Sequence, residues 1–291
     1  MKTVLECLES GAAYLRDHEV ESPRRNMEWM VAHLLGCSRI ELYTQFDRPL
    51  SEEELGPLRE LLKRRGQSEP LQHLLGTVEF CGREFICDKR ALIPRPETEE
   101  LAEEALKLSF SRPARLLDMG TGSGVLGISL ALALGEDCER IVLADISEVA
   151  LGLARENMER HGVETEPVQS DLFKRVTGEF DLIVANLPYV AESEQQSLAP
   201  ELKHEPPEAL YGGPDGLDLF RRFVPRVPAR LKPGGWLALE IGCSQGPSVT
   251  ALLAAAGLMI LGCFGAYDQG LAWVGLGNWL PFFWGFWGFQ P

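Results

Sequence analysis

Residues 114–124 read ARLLDMGTGSG, and they decide the fold of the larger part of this 291-residue chain. An apolar run of strand length leads into glycines, and the apolar residues after them predict a helix. Glycine lets the backbone approach a ligand closely, and a helix start offers it unpaired amide N–H groups. We interpret the turn as a loop that binds a nucleotide-like cofactor through Gly120, Thr121, Gly122, Ser123 and Gly124. A tight turn without a ligand is the alternative.

Predicted strands and helices alternate on the carboxyl side of this loop. Between residues 125 and 257 the segments are, in chain order, VLGISLALAL, IVLADI, EVALGLARENMERHG, EPVQS, FDLIVAN, LFRRFVPRVPARL, WLALEIG and PSVTALLAAAG. Such alternation is typical of an α/β fold, in which a parallel sheet carries helices on both faces. Ligands of such sheets bind outside the carboxyl ends of the strands, and the loop motifs of this chain fall there.

Asp118 stands just before the glycines and gives the pattern DxGxGxG. The glycines alone are ambiguous, because Gly122, Gly124 and Gly127 also satisfy the dinucleotide pattern GxGxxG. A carboxylate at Asp118 would repel a pyrophosphate but attract the cationic aminoacyl end of S-adenosyl-L-methionine. These residues therefore predict S-adenosyl-L-methionine, rather than NAD, as the cofactor.

Two further acidic residues follow predicted strands. Asp145, at the end of IVLAD, is placed to accept hydrogen bonds from ribose hydroxyls, a role that NAD enzymes share. Asp171, in QSDLF, is placed to meet an adenine amino group, with Leu172 packing on the ring. A helix N-cap is an equally good interpretation of Asp171.

Residues 186–189, NLPY, end the strand FDLIVAN, and they are the candidate catalytic residues Asn186, Leu187, Pro188 and Tyr189. The motif resembles [N/D]PPY, which is shared by methyltransferases that act on a nitrogen attached to a planar group, either a DNA base amine or a glutamine amide. By this resemblance the Asn186 side-chain oxygen and the carbonyl of Leu187 accept hydrogen bonds from the nitrogen, and the Tyr189 ring stacks on the planar amide. Asn186 also borders the cofactor. A plain loop after a strand is the alternative.

Leu187 departs from this pattern, since it stands where the related motif has its first proline. The acceptor at this position is a backbone carbonyl, which the change keeps. The fixed φ of proline, which would organise the loop in advance, is lost. Reduced activity is therefore one expectation.

Several further stretches are similar to the glutamine N5-methyltransferases that modify release factors (the PrmC/HemK family). They are SPRRNMEWMVAHLLGCSRIELY (22–43), RRGQSEPLQHLLG (64–76), FCGREFICDKRALIPRPETEEL (80–101), ALYGGPDGLDLFRRF (209–223) and LKPGGWLALEIGCSQG (231–246). The resemblance implies methyl transfer from S-adenosyl-L-methionine to the Gly-Gly-Gln glutamine of class-I peptide chain release factors. It also implies a Rossmann-like class I methyltransferase domain with a mostly parallel seven-stranded sheet. Three residues of IPRPETE are expected to contribute to the pocket or to a domain contact: Arg95, Glu97 and Glu99.

The same resemblance predicts three parts of the chain. Residues 1–75 form a helical substrate-recognition domain, 76–95 a β-hairpin linker, and 96–291 the methyltransferase domain. Apolar residues recur at helical spacing between residues 3 and 67, and short β-prone runs flank Cys81-Gly82-Arg83. Ser51 and Glu54 have the spacing of a capping box, which predicts a helix that runs to about Arg65.

Composition limits the partners and the compartment. The formal net charge is −15, which disfavours stable binding to nucleic-acid phosphates and favours a protein or small-molecule partner. The seven cysteines include no CxxC pair, so we expect reduced thiols in a cytoplasmic protein and no metal site. The first 20 residues lack the uninterrupted apolar core of a signal peptide, and we expect no membrane span.

Three other functions stay open at this point. A DNA amino-methyltransferase would share the glycine loop and NLPY, but it needs a basic, aromatic region that flips and reads a base. An enzyme that methylates a glutamine of a ribosomal protein would use the same chemistry. A non-catalytic protein would keep the cofactor pocket and lose turnover through Leu187.

The carboxyl-terminal stretch QGLAWVGLGNWLPFFWGFWGFQP (269–291) carries no charged side chain and four of the six tryptophans. Three interpretations compete: a last strand with a hydrophobic tail, a tail that adheres to membranes, and an altered reading frame. Glycines and a proline interrupt the stretch, which disfavours a transmembrane helix. We expect a tail that packs on the sheet or is disordered.

Overall fold

The computed structural model of the chain describes residues 2–165, 167–195, 198–266 and 269–275, and side chains as far as Met259. Residues 276–291, and with them most of the predicted tail, lie outside the described residues. The chain divides into two compact units. The first, the helical unit, consists of Met1–Ile93 and Gln196–Pro207, and the second, the sheet unit, consists of Pro94–Gln195 and Glu208–Pro291. The predicted boundaries of the recognition domain, linker and methyltransferase domain stay a prediction.

The helical unit contains five α-helices and one hairpin in its described residues. The helices are α1 (Val4–Asp17), α2 (Pro23–Leu35), α3 (Arg39–Leu42), α4 (Glu52–Gly66) and α5 (Leu71–Leu75). The capping box of α4 is confirmed, because the Glu54 amide donates to the Ser51 hydroxyl at 3.3 Å and the Ser51 amide donates to the Glu54 carboxylate at 2.8 Å. The hairpin is also confirmed: β1 (Thr77–Phe80) pairs antiparallel with β2 (Arg83–Ile86).

The core of the helical unit is built from apolar residues at helical spacing on α1, α2 and α4. The fully buried side chains of this cluster include Leu8, Leu15, Met27, Met30, Leu42 and Leu50. A short later segment of the chain completes this unit. The buried Arg65 guanidinium donates to Asn26 at 2.7 Å and to the Glu201 carboxylate at 2.8 Å. The buried Glu205 carboxylate accepts the Ile93 amide at 2.8 Å.

The sheet unit alternates strands and helices as predicted. Its elements are α6 (Pro96–Lys107), β3 (Ala114–Met119), α7 (Val125–Leu134), β4 (Cys138–Asp145), α8 (Glu148–His161), β5 (Val168–Gln169), β6 (Phe180–Asn186), α9 (Asp218–Phe223), β7 (Leu231–Gly242), α10 (Gly246–Ala255), β8 (Met259–Ala266) and β9 (Gln269–Gly275).

The seven strands lie in the order β5-β4-β3-β6-β7-β9-β8. The first five are parallel, and β9 pairs antiparallel with both β7 and β8. The predicted Rossmann-like α/β fold with a mostly parallel seven-stranded sheet is therefore confirmed. Almost every residue of β3 and β6 is buried, as expected for central strands that are covered on both faces. Among the described residues no helix is both long and apolar enough to cross a membrane.

Candidate functional site

The glycine loop connects β3 to α7 at the carboxyl edge of the sheet. The Gly120 and Thr121 amides donate to the Ala144 carbonyl at the end of β4, at 2.8 and 3.1 Å. Gly120, Gly122 and Gly124 all have positive φ. Residues with side chains rarely adopt this conformation, so the glycines are needed for the path of the loop itself. The loop thus lies between the carboxyl ends of the parallel strands β3 and β4, which is where the sequence analysis predicts that a cofactor binds.

Asp118 lies under this loop with 1% of its surface exposed. One carboxylate oxygen accepts the Thr121 hydroxyl at 2.6 Å and the Gly127 amide at 2.9 Å. Burial raises the pKa of Asp118 to about 6, although these two hydrogen bonds act in the opposite direction. Asp118 therefore ties the loop to the first turn of α7, a local role that the sequence analysis did not foresee.

Asp145 ends β4 and also accepts backbone amides. Its carboxylate accepts the Gly122 amide at 2.9 Å and the Ser147 amide at 2.8 Å. Burial raises the pKa of Asp145, and these amide bonds oppose the shift. Because Asp145 contacts the middle glycine of the loop, the residue predicted to bind ribose also fixes the loop predicted to bind the cofactor.

Asp171 and Leu172 follow β5. The Asp171 carboxylate forms ion pairs with Lys174 at 2.7 Å and with Arg222 of α9 at 2.5 Å, and these two partners lower its pKa. Its side chain makes no N-cap hydrogen bond, although Asp171 precedes a short 3₁₀ helix. Leu172 is buried and has a φ of +51°, which a side-chain-bearing residue adopts only under constraint. The cofactor roles of both residues stay predictions.

The NLPY motif, residues 186–189, is called the reaction motif below. It begins at Asn186, the last residue of β6, which lies opposite Glu240 in the register of the neighbouring strand β7. The Asn186 amide nitrogen donates to the Thr98 hydroxyl at 3.1 Å, and that hydroxyl donates to the Glu240 carboxylate at 2.7 Å. The Tyr189 hydroxyl donates to the other Glu240 oxygen at 3.2 Å. A buried polar network therefore contacts both ends of the motif.

Glu240 is the centre of this network, with 1% of its surface exposed. Burial raises the pKa of Glu240, while hydrogen bonds from Thr98, Tyr189 and Asn186 oppose the shift. Burial and the Glu240 charge also raise the pKa of Tyr189, so its hydroxyl stays protonated. Two of the IPRPETE residues also act on these pKa values. The charge of Arg95 lowers the pKa of Tyr189, and the charge of Glu97 raises the pKa of both Tyr189 and Glu240. Glu99 lies one residue beyond Thr98 in α6.

Leu187 takes part in the core as well as in the backbone of the motif. It is 3% exposed and belongs to the apolar cluster under the sheet. A Cβ atom placed on Gly120 would lie 3.0 Å from the Leu187 side chain and 3.6 Å from the Asn186 carbonyl oxygen. The reaction motif and the glycine loop are therefore in direct contact.

The turn at residues 210–216 packs against the backbone of Tyr189 and Val190 at the end of the reaction motif. The Val190 amide donates to the Leu210 carbonyl at 3.0 Å, and the Gly212 amide donates to the Val190 carbonyl at 2.9 Å. The buried Gln245 side chain donates to the Tyr189 carbonyl at 2.8 Å. Gly216 has a φ of +75°, and any Cβ there would collide with the Tyr189 carbonyl oxygen. The glycines of YGGPDG thus permit close backbone packing against the motif.

Sequence reasoning missed Thr98 and Glu240. Thr98 lies within IPRPETE, and no local pattern distinguishes it from the charged residues around it. Glu240 carried a usable signal, because it is the one charged residue in WLALEIG, a strand predicted to be buried. Among the described residues no group of three or more His, Cys, Asp or Glu side chains is arranged to hold a metal ion.

Comparison with solved structures agrees with the fold. A ribosomal protein L11 methylase from Lactobacillus delbrueckii subsp. bulgaricus superposes with a TM-score of 0.50 at 22% identity, covering 63% of this chain and 81% of that one. A methyltransferase from Pyrococcus furiosus gives a TM-score of 0.50 at 18% identity over 67% of this chain and 89% of that one. At these identities the likeness concerns the fold alone.

Comparison of sequences gives the family. Residues 6–76 match the PrmC N-terminal domain, and residues 100–213 match the methyltransferase small domain. The release factor glutamine methyltransferase of Geobacter sulfurreducens is 41% identical over 91% of this chain and 93% of its own length. That of Chlorobaculum tepidum is 33% identical over 93% of this chain and 96% of its own length. With matches of this identity and coverage, the chain belongs to the release factor glutamine methyltransferase family.

Proposed function

We propose that this chain transfers a methyl group from S-adenosyl-L-methionine to the side-chain amide nitrogen of the Gly-Gly-Gln glutamine in class-I peptide chain release factors. The observation that carries this proposal is the contact between the glycine loop and NLPY at the carboxyl ends of the neighbouring strands β3 and β6. A donor on the loop and a planar amide at the motif would then be adjacent. Such a reaction belongs in the cytoplasm, where release factors act.

The residues at the loop fit the proposed methyl donor. Three glycines of the loop have positive φ and carry no side chain, so a ligand can approach the backbone closely at these positions. Asp118 supplies a buried negative charge for a cationic group, and Asp145 supplies an acceptor next to Gly122. The donor, when bound, supplies an electrophilic methyl group on a cationic sulfur.

The remaining contribution of the chain is to orient the acceptor amide. An amide nitrogen is a poor nucleophile because its lone pair is delocalised, so the nitrogen must be turned toward the methyl group. The Asn186 side-chain oxygen and the Leu187 carbonyl accept the two N–H groups, and the Tyr189 ring packs on the planar amide. Positioning of this kind supplies a large share of the rate acceleration.

The substrate class rests on the relatives, whose names specify release factor glutamine methylation, and their match runs through both units of this chain. The test is incubation with labelled donor and a purified class-I release factor, followed by mass mapping. We expect one methyl group on the glutamine of Gly-Gly-Gln, and no label on a release factor in which glutamate replaces that glutamine. Label on ribosomal protein or DNA instead would contradict the proposal, as would no transfer at all.

The motif itself is tested by Asn186→Ala. We expect the dissociation constant of the donor to stay within a few fold and turnover to fall roughly 100-fold or more, because a group that positions the reacting atom is lost. Calorimetry measures the first quantity and the labelling rate the second. Turnover like that of the wild type would leave glutamine capture without its central acceptor.

A further inference from the structure

The Asn186 side chain is hydrogen-bonded to the Thr98 hydroxyl and also to the Glu240 carboxylate, and while Glu240 is charged these hydrogen bonds run in only one direction. The Asn186 nitrogen can only donate, so the Thr98 oxygen accepts from it at 3.1 Å. The single Thr98 proton is then directed at the Glu240 oxygen 2.7 Å away. As a carboxylate, Glu240 can only accept. One hydrogen bond therefore runs from Asn186 to Thr98, and the next runs from Thr98 to Glu240.

The opposite rotamer of the Asn186 amide breaks this order. Its oxygen would then face the Thr98 hydroxyl, which has one proton for two acceptors, the Asn186 oxygen and the Glu240 carboxylate. Since Thr98 is 4% exposed and Glu240 1%, water has little access to satisfy the remaining group. The network thus selects the rotamer in which the Asn186 nitrogen points to Thr98 and the Asn186 oxygen points away from it.

We infer that Thr98 and Glu240 are positioning residues for methyl transfer, which fix the Asn186 amide so that its oxygen, and not its nitrogen, faces the acceptor glutamine. This inference rests on the proposed function. An inverted Asn186 would present N–H groups to the N–H groups of the substrate, and the amide would not be captured. Thr98 and Glu240 act through Asn186 and contact no reacting atom.

Both Glu240 oxygens accept hydrogen bonds, so the network requires a side chain with two acceptor oxygens at this position. One oxygen accepts from Thr98 and the other from Tyr189. A glutamine at this position has one acceptor oxygen, so it can serve only one of the two hydroxyls. Because an amide N–H₂ group would face the other hydroxyl, Glu240→Gln disturbs either the Asn186 end or the Tyr189 end of the motif.

The test begins with Thr98→Val, which removes the hydroxyl at nearly constant volume. We expect the turnover number to fall roughly 10- to 100-fold. The KM for the release factor and the dissociation constant of the donor should stay within about threefold of wild type. Thr98→Ser, which restores the hydroxyl, should recover most of the turnover. Thr250→Val on an exposed position of α10 is the matched control, with turnover like that of the wild type.

The deciding measurement is a double-mutant cycle with Asn186→Ala. Once the Asn186 amide is gone, there is no rotamer to select, so Thr98→Val should lower turnover no further. The same factor in both backgrounds would show that Thr98 acts independently of Asn186 and would overturn the inference. Turnover within twofold of wild type in Thr98→Val would overturn it as well. If Thr98→Val does not fold by thermal melting, Thr98→Ala gives the same cycle.

The outcomes separate this inference from the proposed function. If the wild-type chain transfers no methyl group to release factors, the proposed function fails before any variant is compared. If the wild type is active on the Gly-Gly-Gln glutamine and the cycle is additive, only the positioning role fails.

Discussion

Asp118 shows at the scale of one residue how the burial of a carboxylate lowers the stability of the fold at neutral pH. Its pKa in the fold is about 6, whereas the ordinary value is 3.8. The folded state therefore binds the Asp118 proton more tightly than the unfolded state does. The contribution of this proton to the stability of the fold is fully present below pH 3.8 and is lost as the pH rises through 6. The difference corresponds to about 3 kcal/mol at neutral pH.

We predict that Asp118→Asn is more stable than the wild type at pH 7 and that the difference disappears toward pH 4. Asparagine keeps an acceptor oxygen for Thr121 and Gly127 but has no charge to desolvate. Urea denaturation of both proteins without donor, at several pH values, measures the two free energies of unfolding. A stability difference that does not change with pH would show that Asp118 is not the titrating group.

Leu187 leads to a second prediction at this scale, because its buried side chain is part of the core. We expect Leu187→Pro to lower the free energy of unfolding by about 1–3 kcal/mol, since it removes packed apolar atoms. We do not expect the proline to raise turnover, although it restores the family motif. Leu187→Ala is the matched control, because it loses the same contacts without fixing φ. A proline variant with faster turnover than wild type would show that restriction of the backbone outweighs the packing.

The elements show which parts of the site the sequence could predict. A strand end is marked locally, by an apolar run that stops at glycine or at a polar residue, so the positions of Asp118, Asp145 and Asn186 at the ends of β3, β4 and β6 follow from the sequence. The family and the fold class were also predicted from such motifs; the sequence comparisons confirm the family, and the strand order confirms the fold class. Glu240 could be singled out as a charged residue in a buried strand, but its contacts with Thr98 and Asn186 could not be predicted, because they depend on the register of β6 against β7 and on the placement of α6.

The turn that supports the reaction motif gives a prediction for a whole loop. Gly216→Ala should displace the backbone at Tyr189, because its Cβ would collide with the Tyr189 carbonyl. We expect turnover to fall at least tenfold, on the scale of a lost positioning contact. Gly257→Ala is a close control: its φ is also +75°, but no atom lies within 4 Å of the new Cβ.

The two alanine variants share the backbone strain and differ in the contact. If both variants lose the same stability and the same turnover, backbone strain alone is responsible. The packing of the turn against the motif would then make no contribution to turnover. If only Gly216→Ala loses turnover, the turn positions Tyr189.

On the scale of the whole molecule, the units are not consecutive stretches of the chain. The helical unit takes Gln196–Pro207 from within the sequence of the sheet unit. No local pattern marks this exchange, since residues 198–207, which the structure describes, carry neither a strand nor a long helix. The sequence analysis assigned the segment to the methyltransferase domain. Long-range contacts such as that of Arg65 with Glu201 determine where they belong.

We predict that a chain starting at Pro94 leaves this segment without its partners. Glu201 then lacks Arg65, and Glu205 lacks the Ile93 amide. Trypsin should cleave after the exposed Lys203 at least tenfold faster in the truncated chain than in the whole chain, since cleavage follows local opening. Cleavage after Lys174, which lies in the sheet unit, serves as the internal control. Equal rates at Lys203 in both chains would show that the segment is ordered without the helical unit.

The discontinuous helical unit also sets an order of events during synthesis. The buried Arg65 leaves the ribosome 136 residues before Glu201, its half-buried partner. At ordinary elongation rates that gap lasts roughly ten seconds. During this time the first five helices are complete in sequence but lack the carboxylate that pairs with the buried Arg65 guanidinium. The nascent helical unit therefore lacks the carboxylate partner of Arg65 until strands β3 to β6 of the sheet have been translated.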